Sequence, residues 1–233
     1  MVATQILFWI GIGIMVSILT ACIIGICRVR QASCHSFEVA CAGSTDNSYP
    51  DTVSIKVSRS LINTNDQRTP YIVKGNSMQY ANINTDDIIF VTQSSPDLIM
   101  DGLPKVTLLS FTPTNPGGAS HKIRRTWRIV NASIDDDSFR HTMQSILSCT
   151  RFKELRENLQ DKCPSDEVLM PGAMESLRKF RQKHLHDNNG ETEDDKILIS
   201  TTYRTEKDQL EFSIHSSDTL QGIVTSVMRR KRC

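Results

Sequence analysis

Between Thr52 and Val130 apolar residues recur in short runs at every second position, the period of a half-buried β-strand. "TVSIKVS" (Thr52–Ser58) alternates cleanly, and "PYIVKG" and "DIIFVTQ" flank a tight corner at Gly75-Asn76-Ser77-Met78. "KVTLLSFTP" (Lys105–Pro113) is more continuously apolar and predicts a buried strand ended by "PTNPGG",. "SHKIRRTWRIV" alternates again, which predicts a hairpin with that strand. From Ile134 the period lengthens. Phe139, Met143, Ile146, Leu147, Phe152, Leu155 and Leu159 follow helical spacing, with Asp135, Asp136 and Asp137 at the start and Lys162-Cys163-Pro164 as the stop,. A second helix is expected after Pro171-Gly172, with Met174, Leu177, Phe180 and Leu185 on one face. After the polar loop "HDNNGETEDD", strands resume with "KILISTTYRT", "LEFSIHS" and "LQGIVTSVMR". Strands, a helical excursion and strands again predict one β domain with a helical insertion.

The first thirty residues follow another rule. Ile6–Cys27 is 22 residues without a charge, about the length that crosses a bilayer core. "MVATQ" carries no side-chain charge, unlike the basic start of a secretory signal,. "LTAC" (Leu19–Cys22) resembles a lipoprotein cleavage box, but the apolar run continues past it. A retained transmembrane anchor is therefore expected. Arg28 and Arg30 follow the span and no Lys or Arg precedes it; the positive-inside bias then puts the bulk of a single-pass protein in the cytoplasm. The expected organisation is an anchor at 1–30, a linker at 31–51 with a short extended piece at Phe37–Ala40, a β domain at 52–130 and 196–233, and a helical insertion at 131–195.

Composition narrows the picture. The chain has 233 residues, 39% hydrophobic and 23% charged, which describes a folded protein,. The net charge of +1 gives no general case for a nucleic-acid partner,. Seven cysteines without a Cys-x-x-Cys pair argue against a zinc ribbon or a disulfide framework,, and free thiols suit a reducing compartment. His184 and His186 near Cys163 read as solvated helix-end groups rather than metal ligands, so no metal and no cofactor is expected. The terminal "RRKR" (Arg229–Arg232) reads as a solubilising tail,.

Ser77 invites a chemical reading. A serine hydroxyl becomes a nucleophile only when a base takes its proton. No histidine has an obvious carboxylate partner in sequence, whereas a lysine depressed by burial can serve as the base. Lys122 lies in a strand downstream; Arg124 and Arg125 are excluded as bases, because a guanidinium does not deprotonate in proteins.

"VKGNSMQYANINTDDIIFV", "LPKVTLLSF", "HKIRR" and the closing "LQGIVTSVM", in that order, resemble the LexA-like and signal-peptidase-like serine–lysine peptidases. The likeness covers about residues 52–130 and 196–228 and leaves the helical insertion outside. It implies a mainly β, LexA/signal-peptidase-like fold with Ser77 as nucleophile, the backbone N–H groups of Ser77 and Asn76 as oxyanion hole and Lys122 as general base. Asp86 stands where the family has a turn glycine. The family's lysine is usually followed directly by a basic residue, a pattern that falls on Arg124-Arg125; with Arg124 in the lysine position the site is inactive. "EVACAGS" resembles the self-cleavage segment of LexA-like proteins, and Gly43 lies 34 positions before Ser77. The resemblance thus implies a membrane-tethered peptidase that cuts its own Ala42-Gly43 bond and frees the soluble part, with a peptide, its own or another, as substrate. An inactive binding or dimerisation module, with a homodimer among its partners, is one alternative. A signal-peptidase-like processing enzyme is another, disfavoured by the 50 positions between Cys27 and Ser77 and by the inferred topology. A DNA-binding repressor fits least, because the anchor occupies the N-terminal place of a DNA reader.

Overall fold

The computed structural model describes residues 2–32, 34–42, 52–58, 68–99, 103–111, 121–131, 134–187 and 196–229. The chain divides into two compact units, Met1–Glu38 with Ser54–Asp66, and Val39–Val53 with Gln67–Cys233. The first unit contains helix α1 (Val2–Ala32), 31 residues without interruption. Trp9, Ile14, Met15, Val16, Ile18 and Leu19 on it are all more than half exposed. Among the described residues no helix is long and apolar enough to cross a membrane.

The strands are β1 (Cys34–Ala42), β2 (Thr52–Ser58), β3 (Arg68–Val73), β4 (Ile88–Thr92), β5 (Lys105–Ser110), β6 (His121–Asn131), β7 (Lys196–Arg204), β8 (Gln209–Ser216) and β9 (Leu220–Met228). Their order in one sheet is β2-β1-β3-β4-β9-β5-β6-β7-β8. Every expected strand is present, and β5 and β6 form the expected antiparallel hairpin. β6 and β7 are direct neighbours, and the helices of 136–187 lie between them in the chain. The fold is nevertheless mixed rather than mainly β, because helices contribute as much to it as strands.

The sheet curls. From β3 to β6 there are four strand steps, ~19 Å across a flat sheet at the usual interstrand spacing. Yet the rings of Tyr71 on β3 and His121 on β6 lie 5.3 Å apart. The inner face of this curl holds Ala42, Val73, Met78, Ile83, Ile89, Val91, Leu108 and Ile123 as one apolar cluster. On the outer face Ile99, Leu109, Ile129 and Leu198 form another. Gly222 on β9 stands opposite Leu108, and a Cβ there would meet the Thr92 carbonyl oxygen at 2.3 Å. Only glycine lets β9 approach β4 so closely.

The insertion departs from expectation at two points. The first predicted helix is two, α2 (Asp136–Ser148) and α3 (Thr150–Leu159), broken at Cys149, whose ψ of 148° is extended. Asp135 caps α2 by accepting the Ser138 N–H at 2.8 Å,. The break lets Phe152 and Leu155 join Phe139, Met143 and Trp127 in one core; Phe152 stands edge-on to Trp127 at 5.2 Å and stacks on Phe212 at 5.6 Å. The last helix, α4 (Asp166–Asp187), begins before Pro171 rather than after it. Proline forgoes one helical hydrogen bond, and the burial of Leu169 and Ala173 in the same core offsets that loss.

Candidate functional site

The corner between β3 and β4 is built from backbone hydrogen bonds and left-handed residues. Gly75, Asn82 and Asp86 have φ of 91°, 58° and 72°, conformations open to Gly and cheaper for Asn and Asp than for other residues. The Asp86 N–H donates to the Val73 carbonyl and the Val73 N–H to the Asp87 carbonyl, both at 2.8 Å. The buried Asp87 carboxylate accepts the Asn84 N–H at 2.9 Å, and Thr85 Oγ1 donates to Asn76 Oδ1 at 2.9 Å. Met78 is driven into the inner core, which leaves Ser77 half-buried at the rim. The Ser77 carbonyl accepts the Tyr203 N–H at 3.3 Å, which ties the corner to the end of β7. Among the described residues the Ser77 hydroxyl and the N–H groups of Ser77 and Asn76 make no hydrogen bond.

The structure also brings the candidate cleavage segment here. β1 runs parallel to β3, with Ala40 beside Tyr71, Cys41 beside Ile72 and Ala42 beside Val73. The Lys74 N–H donates to the Ala42 carbonyl at 2.7 Å, and the fully buried Ala42 side chain shares the cluster of Met78 and Ile83. Ala42 is thus held in the wall of the corner. Gly43 lies outside the described residues.

Lys122 is elsewhere. It pairs with Leu109 across the β5–β6 hairpin and Ile123 pairs with Leu108; alternate residues of a strand face opposite ways. Ile123 packs with Met78 on the inner face, so Lys122 lies on the outer one, its Nζ 5.6 Å from the Phe111 ring centre. No hydrogen bond joins it to Ser77 among the described residues. Burial first, then the charges of Arg124 and Arg204, lower the Lys122 pKa. That is the direction a base requires, but it arises away from the serine. Arg124 shares the outer face; burial above all pushes its pKa down to about 10, which leaves it a cation at neutral pH. Arg125 shares the face of Ile123 and His121, with its guanidinium 5.6 Å from the Tyr80 ring centre. The placement of Lys122 follows from the register of β6, which the spacing of basic residues alone left open.

Two groups at the corner carry no motif and were not picked out from sequence. Lys74 is buried and its Nζ bonds Asp86 Oδ1 at 2.8 Å. Tyr80 reaches across to the Thr201 carbonyl at 3.1 Å, and desolvation raises its pKa. The one signal for Lys74 was its place directly before the turn glycine. Among the described residues no group of three or more His, Cys, Asp or Glu could hold a metal ion; the side chains of His184 and His186, and residues 230–233 of the basic tail, lie outside them.

No family model, curated protein or solved structure matches the chain.

Proposed function

We propose that the chain is a membrane-anchored module of the LexA-like and signal-peptidase-like kind whose serine corner grips a peptide strand without cutting it. The observation that carries this reading is the register of β6. Lys122 faces Phe111 on the outer side of the sheet, Arg125 is the cation on the face of Ile123, and Lys74 beside the corner is engaged by the Asp86 carboxylate. A serine so placed has open backbone donors and, among the described residues, no lysine hydrogen-bonded to its hydroxyl to take its proton,. The strand that it grips is the chain's own Val39–Ala42, in the manner of a peptide added to a sheet. A homodimer that exchanges this strand between copies belongs to the same reading.

A second reading is self-cleavage at Ala42-Gly43 by Ser77, with Lys122 as base. The docked Ala42 carbonyl and the unbonded Ser77 hydroxyl favour it. Processing of other proteins in the manner of a signal peptidase is a variant of it. The test is to express the full chain beside Ser77→Ala and Lys122→Ala, following size and N-terminal sequence over time, also at raised pH where lysine deprotonates. An intact chain in all three supports the gripping module. A fragment that begins at Gly43, absent from both variants, overturns it in favour of the peptidase.

The anchor rests on α1. Ile14, Met15, Val16, Ile18, Leu19 and Ile24 are exposed on it, and at about 100° per residue they point all round the axis, the pattern of a helix whose surroundings are apolar. A bilayer supplies such surroundings, and Arg28 and Arg30 then put the sheet in the cytoplasm. Reporter fusions at the C-terminus that fluoresce only inside the cell check this orientation.

A further inference from the structure

The outer face of β6 gathers two cations, Lys122 and Arg124, that make no hydrogen bond to Ser77. Lys122 and Arg124 stand two positions apart on the strand, opposite Leu109 and Thr107. Phe111 lies beside them, with the Lys122 ammonium 5.6 Å from its ring centre. From β8, His215 meets the same ring edge-on at 5.2 Å, and its Nε2 is 3.1 Å from Ser213 Oγ. Arg204 at the end of β7 is the next cation, and it is already matched: Glu211 accepts from it at 3.0 Å and from Lys207 at 2.8 Å. Neither Lys122 nor Arg124 has a carboxylate partner among the described residues. Arg124 spends one amino group on the Ile123 carbonyl at 2.9 Å, while its Nε is shielded from solvent and makes no hydrogen bond.

A buried guanidinium nitrogen without a partner costs free energy that a native structure normally recovers with a ligand or a counter-charge. Two uncompensated cations side by side raise that cost. The Arg fork with an adjacent ammonium matches the geometry and charge of a phosphate group. We propose that the outer face of β6 binds a phosphate group between Lys122 and Arg124, with Phe111 and His215 as its floor. The charge balance of the cluster supports this: burial, then Arg124 and Lys122, push the His215 pKa down to about 3, so the imidazole stays neutral and the positive charge is concentrated on the other two groups. The site is independent of Ser77, so its failure leaves the reading of the corner untouched.

The phosphate could come from a soluble monoester or from a lipid headgroup at the membrane that anchors the chain. The full-length protein in neutral detergent is titrated with sodium phosphate at constant ionic strength, while the Arg Nε–H and His ring signals are followed by NMR. Saturable shifts at Arg124 and His215 are expected, with the apparent affinity falling at least tenfold in Lys122→Gln and less in Arg124→Lys, which keeps the charge but loses the fork. Lys122→Gln replaces a half-buried side chain and leaves the core intact. In a second arm the protein is reconstituted through α1 into phosphatidylcholine bilayers with and without phosphatidic acid, and the same Arg124 and His215 signals are followed. Shifts that appear only with phosphatidic acid and that free phosphate competes away assign the site to a lipid phosphate; shifts with free phosphate alone assign it to a soluble ligand. Absence of any saturable shift with either probe, or shifts unchanged in Lys122→Gln, would each overturn the proposal.

Discussion

The serine corner and the helical insertion are held together by different forces. From Lys74 to Asp87 the chain is fixed by backbone hydrogen bonds, three left-handed residues and one ion pair, with Met78 and Ile83 as its buried apolar anchors. From Ile134 to Asp187 side-chain burial does the work: Phe139, Met143, Phe152, Leu155, Leu169 and Leu177 share one core with Trp127 and Phe212. Local chemistry thus shapes the corner residue by residue, whereas the insertion takes its shape from the sheet it covers. Substitutions should separate the two.

The largest effect is expected in the insertion. Phe152→Ala removes a fully buried ring that touches both Trp127 and Phe212; such truncations cost ~3–5 kcal/mol. Urea unfolding followed by tryptophan fluorescence measures the loss. Short of global unfolding, hydrogen exchange at the corner amides of Asn84 and Asp86 should stay slow, because their acceptors lie within the corner. Equal loss of protection in both regions would show that they are one cooperative unit.

Gly222→Ala is expected to act on the sheet that supports the corner. The added methyl meets Thr92 O at 2.3 Å and Val91 Cγ1 at 2.8 Å, so β4 and β9 must separate, at the ~1–3 kcal/mol typical of overpacking. The corner amides next to β4 should exchange faster while the α2–α4 amides hold.

These differences explain what the sequence disclosed. The strands were legible because alternation reports burial on one face. The insertion was legible as helical because Phe139 to Leu159 keep their period, but not as two helices: the break at Cys149 serves packing against Trp127, a tertiary demand that no local signal announces. The turn at Asp86 was legible, since aspartate tolerates its φ of 72°,. The side of the sheet on which Lys122 stands was not. Lys122, Arg124 and Arg125 are close in sequence, and only the pairing of Ile123 with Leu108 decides which of them stands on which face,. The parallel docking of β1 on β3 was equally hidden, because alternation marks each strand but not which strand it pairs with or in which direction.

The outer face offers a smaller effect that belongs to neither region. The folded-state pKa of His215 is pushed down to about 3, against ~6.5 in an unfolded chain. Between these values the unfolded state binds more protons, so His215 contributes stability that is complete above about pH 6.5 and is lost as the pH falls toward 3, by ~1.4 kcal/mol per unit. Urea midpoints measured at pH 5, 5.5, 6 and 6.5 should rise with pH for the natural chain and flatten in His215→Asn. The same slope in both would place the cause elsewhere.

The smallest effect tests the corner itself, through two substitutions at one position. Asp86 holds Lys74 at 2.8 Å, yet its side chain is 41% exposed, so solvent screening limits that ion pair to no more than ~1 kcal/mol. Its φ of 72° costs a comparable amount for a residue with a Cβ,. Asp86→Gly gives up the ion pair but relieves the backbone, and should leave stability within ~0.5 kcal/mol. Asp86→Ala gives up the ion pair and keeps the strain without aspartate's local tolerance of it, and should lose ~1–2 kcal/mol. The gap between the two variants measures the backbone contribution at the corner without reference to Lys74. Equal losses would mean that the ion pair, not the turn, fixes this end of the corner, and the contrast with the packed insertion would then be one of charge rather than of backbone.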